Sequence, residues 1–171
     1  ITLPNGISGD YYLHVWTDAD HQVYEHTAET NNIISRPLNI MLAPSLDLQV
    51  KSISTASTGT IGSLFDLNWV IENTGSGTAD ALWDDYAYLS TDSVLDTTSD
   101  ILIGTFTRPN PLPPHASYTA SHNVTLPAQL KEGTYYILIV TDSQDLVYEH
   151  NAEDNNMSQS SSILINSAPK A

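Results

Sequence analysis

Cysteine is absent from this 171-residue chain, which excludes thiol catalysis, disulfide scaffolds and thiolate zinc sites. Bases are scarce: three Lys and two Arg stand against 20 acids, a formal net charge of −15. Nucleic-acid binding needs a basic face, and an anionic membrane repels such a chain. Long apolar runs are missing. The longest, Ile137 to Val140, follows two tyrosines and is far too short to span a bilayer. No signal peptide is visible, and a chain that starts at Ile1 is expected to be a piece of something longer. No stretch keeps a helical period over ten or more residues.

What is present points to strands. Hydrophobic residues make up 40%, enough for a core. Ser and Thr number 37, so hydroxyls, Asn and Asp carry the surface, a composition that suits extracellular β-proteins. Val, Ile, Thr and Tyr are plentiful, and nine Pro and eight Gly supply turns.

An internal repeat organises the chain. Residues 9–32 read GDYYLHVWTDADHQVYEHTAETNN and residues 133–156 read GTYYILIVTDSQDLVYEHNAEDNN; 13 of the 24 positions are identical without a gap, at an offset of 124. ITLP at 1–4 answers VTLP at 124–127, and Ala43-Pro44 answers Ala168-Pro169. The expected organisation is the closing part of one repeat (1–43), one whole repeat (44–166) and the start of a linker (167–171). Repeats this long are tandem domains rather than solenoid turns.

Within the whole repeat, Leu46, Leu48 and Val50 alternate with polar residues, as do Phe65, Leu67, Trp69 and Ile71. Tyr86 to Leu89, Ile101 to Gly104, Tyr118 to Leu126, Tyr135 to Val140 and Ser162 to Ile165 complete a set of about seven strands. The 135–140 run is apolar on both faces, as a central strand would be. This predicts an all-β, immunoglobulin-like Greek-key sandwich, preceded by a partial repeat of two to three strands. Gly133-Thr134-Tyr135 sits where a tyrosine corner ties a loop to a strand. Residues 1–43 form too little structure to stand alone, so they are expected to dock on the intact domain, pair with a second chain as a homodimer, or make edge contacts.

Fifteen of the 20 acids lie in three short segments, 18–29, 80–100 and 142–154, none of which holds Lys or Arg. Clustered carboxylates repel, and a hard cation such as Ca²⁺ relieves that repulsion through oxygen ligands. Asp92, Asp96 and Asp100 recur every fourth residue, though without the glycine and glutamate of an EF-hand. Asp142, Glu149, Asn151, Glu153 and Asn155 form the second candidate calcium set, and Asp18, Glu25, Glu29 and Asn31 are its counterparts in the first copy. The alternative for each set is backbone capping by Asx turns and loop hydrogen bonds, the favoured reading for the Glu149 to Asn155 corner. His26 and His150 have no second His nearby for a zinc site. Trp83, Asp84, Asp85 and Tyr86 offer a candidate ligand platform, the alternative being a tryptophan buried between sheets. No nucleophile elbow, phosphate loop or metalloprotease helix motif is present, which argues against an enzyme.

Leu46 to Val50, the run Val70-Ile71-Glu72-Asn73-Thr74-Gly75-Ser76-Gly77-Thr78-Ala79, Gly133-Thr134-Tyr135, and Asp142 followed by Val147-Tyr148-Glu149 and Glu153-Asp154-Asn155-Asn156 resemble the CARDB family, the cell-adhesion-related domain found in bacteria. The resemblance covers about 44–166, with 1–42 like the end of a second copy. It implies an immunoglobulin-like sandwich in large secreted or surface proteins, often in tandem and mostly without assigned activity. The expected function is a non-catalytic extracellular spacer or adhesion-related module of a bacterial surface or secreted protein, stabilised by calcium. Its expected partners are neighbouring repeats and an extracellular protein or glycan. The alternative is a carbohydrate- or protein-binding accessory module of a secreted hydrolase.

Overall fold

The computed structural model describes residues 1–28, 30–108 and 111–168. They fall into two compact units, Ile1–Ala43 and Pro44–Ala171, with eleven strands and no helix among the described residues. The first unit is a hairpin of β1 (Gly9–Trp16) and β2 (Ile33–Ile40), paired antiparallel from Gly9↔Ile40 to Trp16↔Ile33. Every side chain of β1 is exposed, Tyr11, Leu13, Val15 and Trp16 included.

The second unit holds β3 (Leu48–Thr55), β4 (Thr58–Thr60), β5 (Leu64–Asn73), β6 (Trp83–Ser90), β7 (Ile101–Arg108), β8 (Ser117–Thr125), β9 (Gly133–Val140), β10 (Met157–Gln159) and β11 (Ile163–Asn166). One sheet runs β4-β11-β9-β6-β7, with β10 also on β9; the other runs β3-β5-β8. The strict alternation along β5 places Phe65, Leu67, Trp69 and Ile71 in the core, where they meet Trp83, Ala87, Leu89, Tyr135, Ile137 and Ile139 of the facing sheet. Strand β9 is central and buries Leu138 on its other face as well. The seven expected strands are present. The two that the sequence pattern missed, β4 and β10, are three residues each, too short to show a period.

Ser160 divides β10 from β11. Its amide donates to Ile137 O (2.8 Å) and its hydroxyl accepts from Ile137 N (2.9 Å), so β9 keeps its ladder across the gap. The tyrosine corner is formed: Tyr135 Oη donates to Lys131 O at 3.1 Å. After β5, fully buried Asn73 ties three segments together. Its Nδ2 donates to Gly77 O (2.8 Å) and Leu112 O (3.1 Å), while its Oδ1 accepts from Gly75 N (3.1 Å) and Asp47 N (3.3 Å). The turn that follows grips the lead into β3 through Thr74 N→Asp47 O and Ser76 N→Ser45 O. On the opposite side of the sandwich, β7 and β8 are edge strands of different sheets, so the two layers part there without a shared ladder.

Candidate functional site: a carboxylate corner beside the first sandwich strand

The segment from Thr141 to Asn156 leaves β9 and returns to β10, closed at its base by Thr141 N→Asn156 O at 2.9 Å. Asp142 starts it in the left-handed region, at φ 45°. Aspartate tolerates that conformation because its short carboxylate bonds local amides. Here Oδ1 accepts from Leu146 N (3.0 Å) and Oδ2 from Val147 N (2.9 Å). Val147 is thereby anchored into the core.

Glu149 follows, only 1% exposed. Its Oε2 accepts from Leu48 N (2.9 Å), the first amide of β3, and its Oε1 from Asn156 Nδ2 (3.3 Å). Glu153 Oε1 accepts from Glu149 N (2.6 Å), and Asn155 Nδ2 donates to Asp47 Oδ1 (3.0 Å). The corner thus clasps the start of a strand about a hundred residues away in sequence.

These bonds gather three acids. Asp142, Glu149 and Glu153 each offer a carboxylate oxygen within 4.8 Å of the other two. Burial pushes the Glu149 carboxyl up to about 8, opposed by the Leu48 amide bond and reinforced by Glu153 and Asp142. Asp142 and Glu153 are raised too, chiefly by burial. The amide oxygens of Asn155 and Asn156 lie buried with no hydrogen-bond partner among the described residues. Three carboxylates that converge in this way form a hard-oxygen donor set. Each carboxylate oxygen that holds an amide keeps a second lone pair, so capping and coordination are compatible.

The two asparagines of the second set lie differently. Asn151 is exposed, and the Asn155 side chain donates to Asp47. In the first unit, Asp18 repeats the arrangement of Asp142: φ 47°, with Oδ1 accepting from Gln22 N (2.7 Å) and Oδ2 from Val23 N (3.1 Å). Ala28 N→Glu25 O and Asn31 N→Ala28 O match Ala152 N→Glu149 O and Asn155 N→Ala152 O. Glu29, the counterpart of Glu153, lies outside the described residues.

Asp92, Asp96 and Asp100 spend their oxygens on their own loop between β6 and β7. Asp92 Oδ1 caps Val94 N (2.8 Å), Asp96 Oδ1 takes Thr98 N (2.9 Å) and Thr98 Oγ1 (2.6 Å), and Asp100 Oδ2 takes Asp96 N (2.8 Å). The Thr98 hydroxyl is the main cause holding the exposed Asp96 carboxyl below its usual range. Spacing by four here makes a ladder of Asx caps rather than a convergent set, and among the described residues these three acids form no metal-ligating group.

Trp83 is 1% exposed and its Nε1 donates to Thr141 Oγ1 at 3.1 Å. The exposed platform expected at Trp83 to Tyr86 is therefore corrected. β6 alternates, sending Trp83 and Asp85 inward and leaving Asp84 to accept from Thr107 Oγ1 (2.6 Å) and Tyr86 from Gln144 Nε2 (2.8 Å). The sequence assigned no site role to Asp47, Leu48 or Asn156, which the structure brings to the corner. The signal for Asn156 was available, since it repeats as Asn32, and both are 8% exposed.

Comparison with known proteins agrees with this fold. The family model of CARDB matches residues 45–160. A CARDB domain from Pyrococcus furiosus, crystallised in complex with di-metal ions, is 20% identical; the match covers 71% of this chain and 93% of that one, at a TM-score of 0.51. A solution structure of a Pyrococcus furiosus CARDB domain is 18% identical over 73% of this chain and 97% of that one, at a TM-score of 0.50. No curated protein matches the chain.

Proposed function

The chain belongs to the CARDB family, and from that premise we propose that it is a non-catalytic, extracellular, adhesion-related module whose carboxylate corner binds Ca²⁺. The observation that carries the calcium reading is the convergence of Asp142, Glu149 and Glu153 within 4.8 Å. That a Pyrococcus furiosus CARDB domain holds metal ions supports a metal here. The hard-oxygen donor set favours Ca²⁺ over softer ions. Bound there, the ion would neutralise the three acids while they go on holding the Leu48, Leu146, Val147 and Glu149 amides. The chemistry is mechanical: the corner becomes a rivet between β9, β10 and β3.

Residues 1–43 are proposed as the closing part of another copy, with neighbouring repeats as partners. The shared Asp18 and Asp142 geometry supports this reading. The acid- and hydroxyl-rich, cysteine-free composition supports an extracellular setting, and no helix among the described residues is long and apolar enough to cross a membrane.

A thermal melt with millimolar Ca²⁺, against Mg²⁺ and EDTA, tests the metal. Extracellular sites bind Ca²⁺ at about 10⁻⁴ to 10⁻³ M. Millimolar Ca²⁺ is then about one to ten times the dissociation constant and adds about 0.4 to 1.4 kcal/mol. A rise of several degrees specific to Ca²⁺ is expected. An unchanged melt would reduce the corner to backbone capping.

A further inference from the structure

The parted edge between β7 and β8 holds a cavity of about 160 Å³, lined by Trp69, Asp85, Phe106, Arg108, Tyr118 and His122 among others. An engineered cavity of about 150 Å³ accepts a benzene ring, so the space suits one ring-sized group. Asp85 is 2% exposed, and two donors share one of its oxygens: Trp69 Nε1 at 2.7 Å and Tyr118 Oη at 2.5 Å, both to Oδ2. The other oxygen, Oδ1, is buried with no hydrogen-bond partner among the described residues. Arg108, which lines the same cavity, has its Nε buried with no hydrogen-bond partner among the described residues, while its guanidinium lies 4.2 Å from the centre of the Tyr118 ring.

Buried polar groups are almost always hydrogen-bonded, and an orphan costs about 1–3 kcal/mol. Here an acceptor and a donor are orphaned in one small cavity. A cationic ligand would meet Arg108 and an anionic one would meet Asp85. A neutral molecule with several hydroxyls satisfies both, because a hydroxyl donates as well as accepts. The remaining walls combine the aromatic rings of Trp69, Phe106 and His122 with Thr107, Thr119 and Ala120. Phe106 and His122 have ring centres 4.2 Å apart, and Trp69 lies 5.4 Å from His122. Such surfaces cover the C–H face of a ring while its rim of hydroxyls meets the polar groups.

We propose that this slot binds a sugar ring of a neutral carbohydrate, one hydroxyl donating to Asp85 Oδ1 and another accepting from Arg108 Nε. The site is separate from the carboxylate corner and needs no metal there. It also differs from an exposed Trp83 platform: the recognition groups lie between the sheets.

The test follows the indole N–H resonance of Trp69 in the full chain, kept in EDTA so that the corner plays no part. Glucose, galactose, mannose and xylose are titrated as free sugars, and cellobiose, lactose, mannobiose and xylobiose as their glycan forms. Concentrations reach roughly 100 mM, about a hundredfold above a millimolar dissociation constant. A saturable shift with at least one sugar is expected. Response to monosaccharides identifies a free sugar, and response to disaccharides alone identifies the end of a glycan. Arg108→Met should weaken binding at least tenfold. Ala120→Leu intrudes on the slot from β8 and should abolish binding at a modest cost in melting temperature, which keeps the test open if Arg108→Met folds poorly. No saturable shift with any sugar overturns the proposal. So does equal binding by a folded variant, or a sugar-soaked crystal with only ordered water in the slot.

Discussion

Gly75 has no room for a methyl group. A Cβ there would lie 2.5 Å from Ser45 O and 2.7 Å from Leu46 C, both backbone atoms held by the turn's own hydrogen bonds. Gly75→Ala must push the chain off the start of β3, and we expect a loss of about 2–4 kcal/mol. It should read as a lower urea midpoint at constant slope. At Gly104 the clash is with Phe106 Cζ at 2.4 Å, a side chain that can turn aside. Gly104→Ala should therefore cost less in the same titration, and it should displace a wall of the β7–β8 slot. Glu149 is the other decisive residue. Its folded pKa of about 8 lies above its ordinary 4.5, so protonation favours the fold. The stability it contributes is complete below about 4.5 and is lost as pH rises towards about 8. Asp142, Glu153 and Asp85 are shifted in the same direction. Without metal, the melting temperature should rise as pH falls from about 8 to about 5. With Ca²⁺ that slope should flatten, because the ion replaces the protons. A metal-free melting temperature that falls over this interval would contradict the assignment.

At the scale of elements, two acidic loops of similar composition do different things. The β9–β10 corner turns its acids towards each other and onto β3; the β6–β7 loop turns each acid onto its own backbone. Glu153→Gln should remove most of the Ca²⁺-dependent rise in melting temperature. Asp96→Asn should leave that rise intact and lower the baseline only slightly, because it removes a local cap. Isothermal titration of Ca²⁺ into the two variants separates them directly. The β7–β8 edge belongs to this scale as well. Two sheets that close along β3, β9 and β10 meet on the opposite side through side chains of β7 and β8, where Asp85 Oδ1 and Arg108 Nε have no hydrogen-bond partner among the described residues.

For the whole molecule, the sandwich carries its own core, from Leu48 to Ile165, while the hairpin exposes both faces of β1. A two-stranded ribbon is marginal in water. A fragment beginning at Pro44 should melt in one cooperative transition. Residues 1–43 alone should show the dispersed amide spectrum of a fold only when another copy's strands are supplied. A hairpin that stays folded alone at low concentration would contradict the reading of an incomplete copy.

How much was legible follows the range of each interaction. The seven longer strands, the core face of β5 and the tyrosine corner follow from alternation and from Gly133-Thr134-Tyr135, because period-two burial is written in neighbouring residues. The conformation of the corner was equally local: Asp18 and Asp142 cap the same two amides in both units, so the loop sequence alone determines it. The repeat and the family likeness needed nothing more than the sequence. Tertiary structure decided which acids meet. Glu149 reaches the Leu48 amide across the fold, Asp92, Asp96 and Asp100 never converge, and Trp83 goes inside because its strand packs on β5. Asp85 and Arg108 share a cavity only because β7 and β8 are the unjoined edges of two sheets. Burial, like-charge convergence and orphaned donors arise between segments far apart in the chain, and no local spacing encodes them.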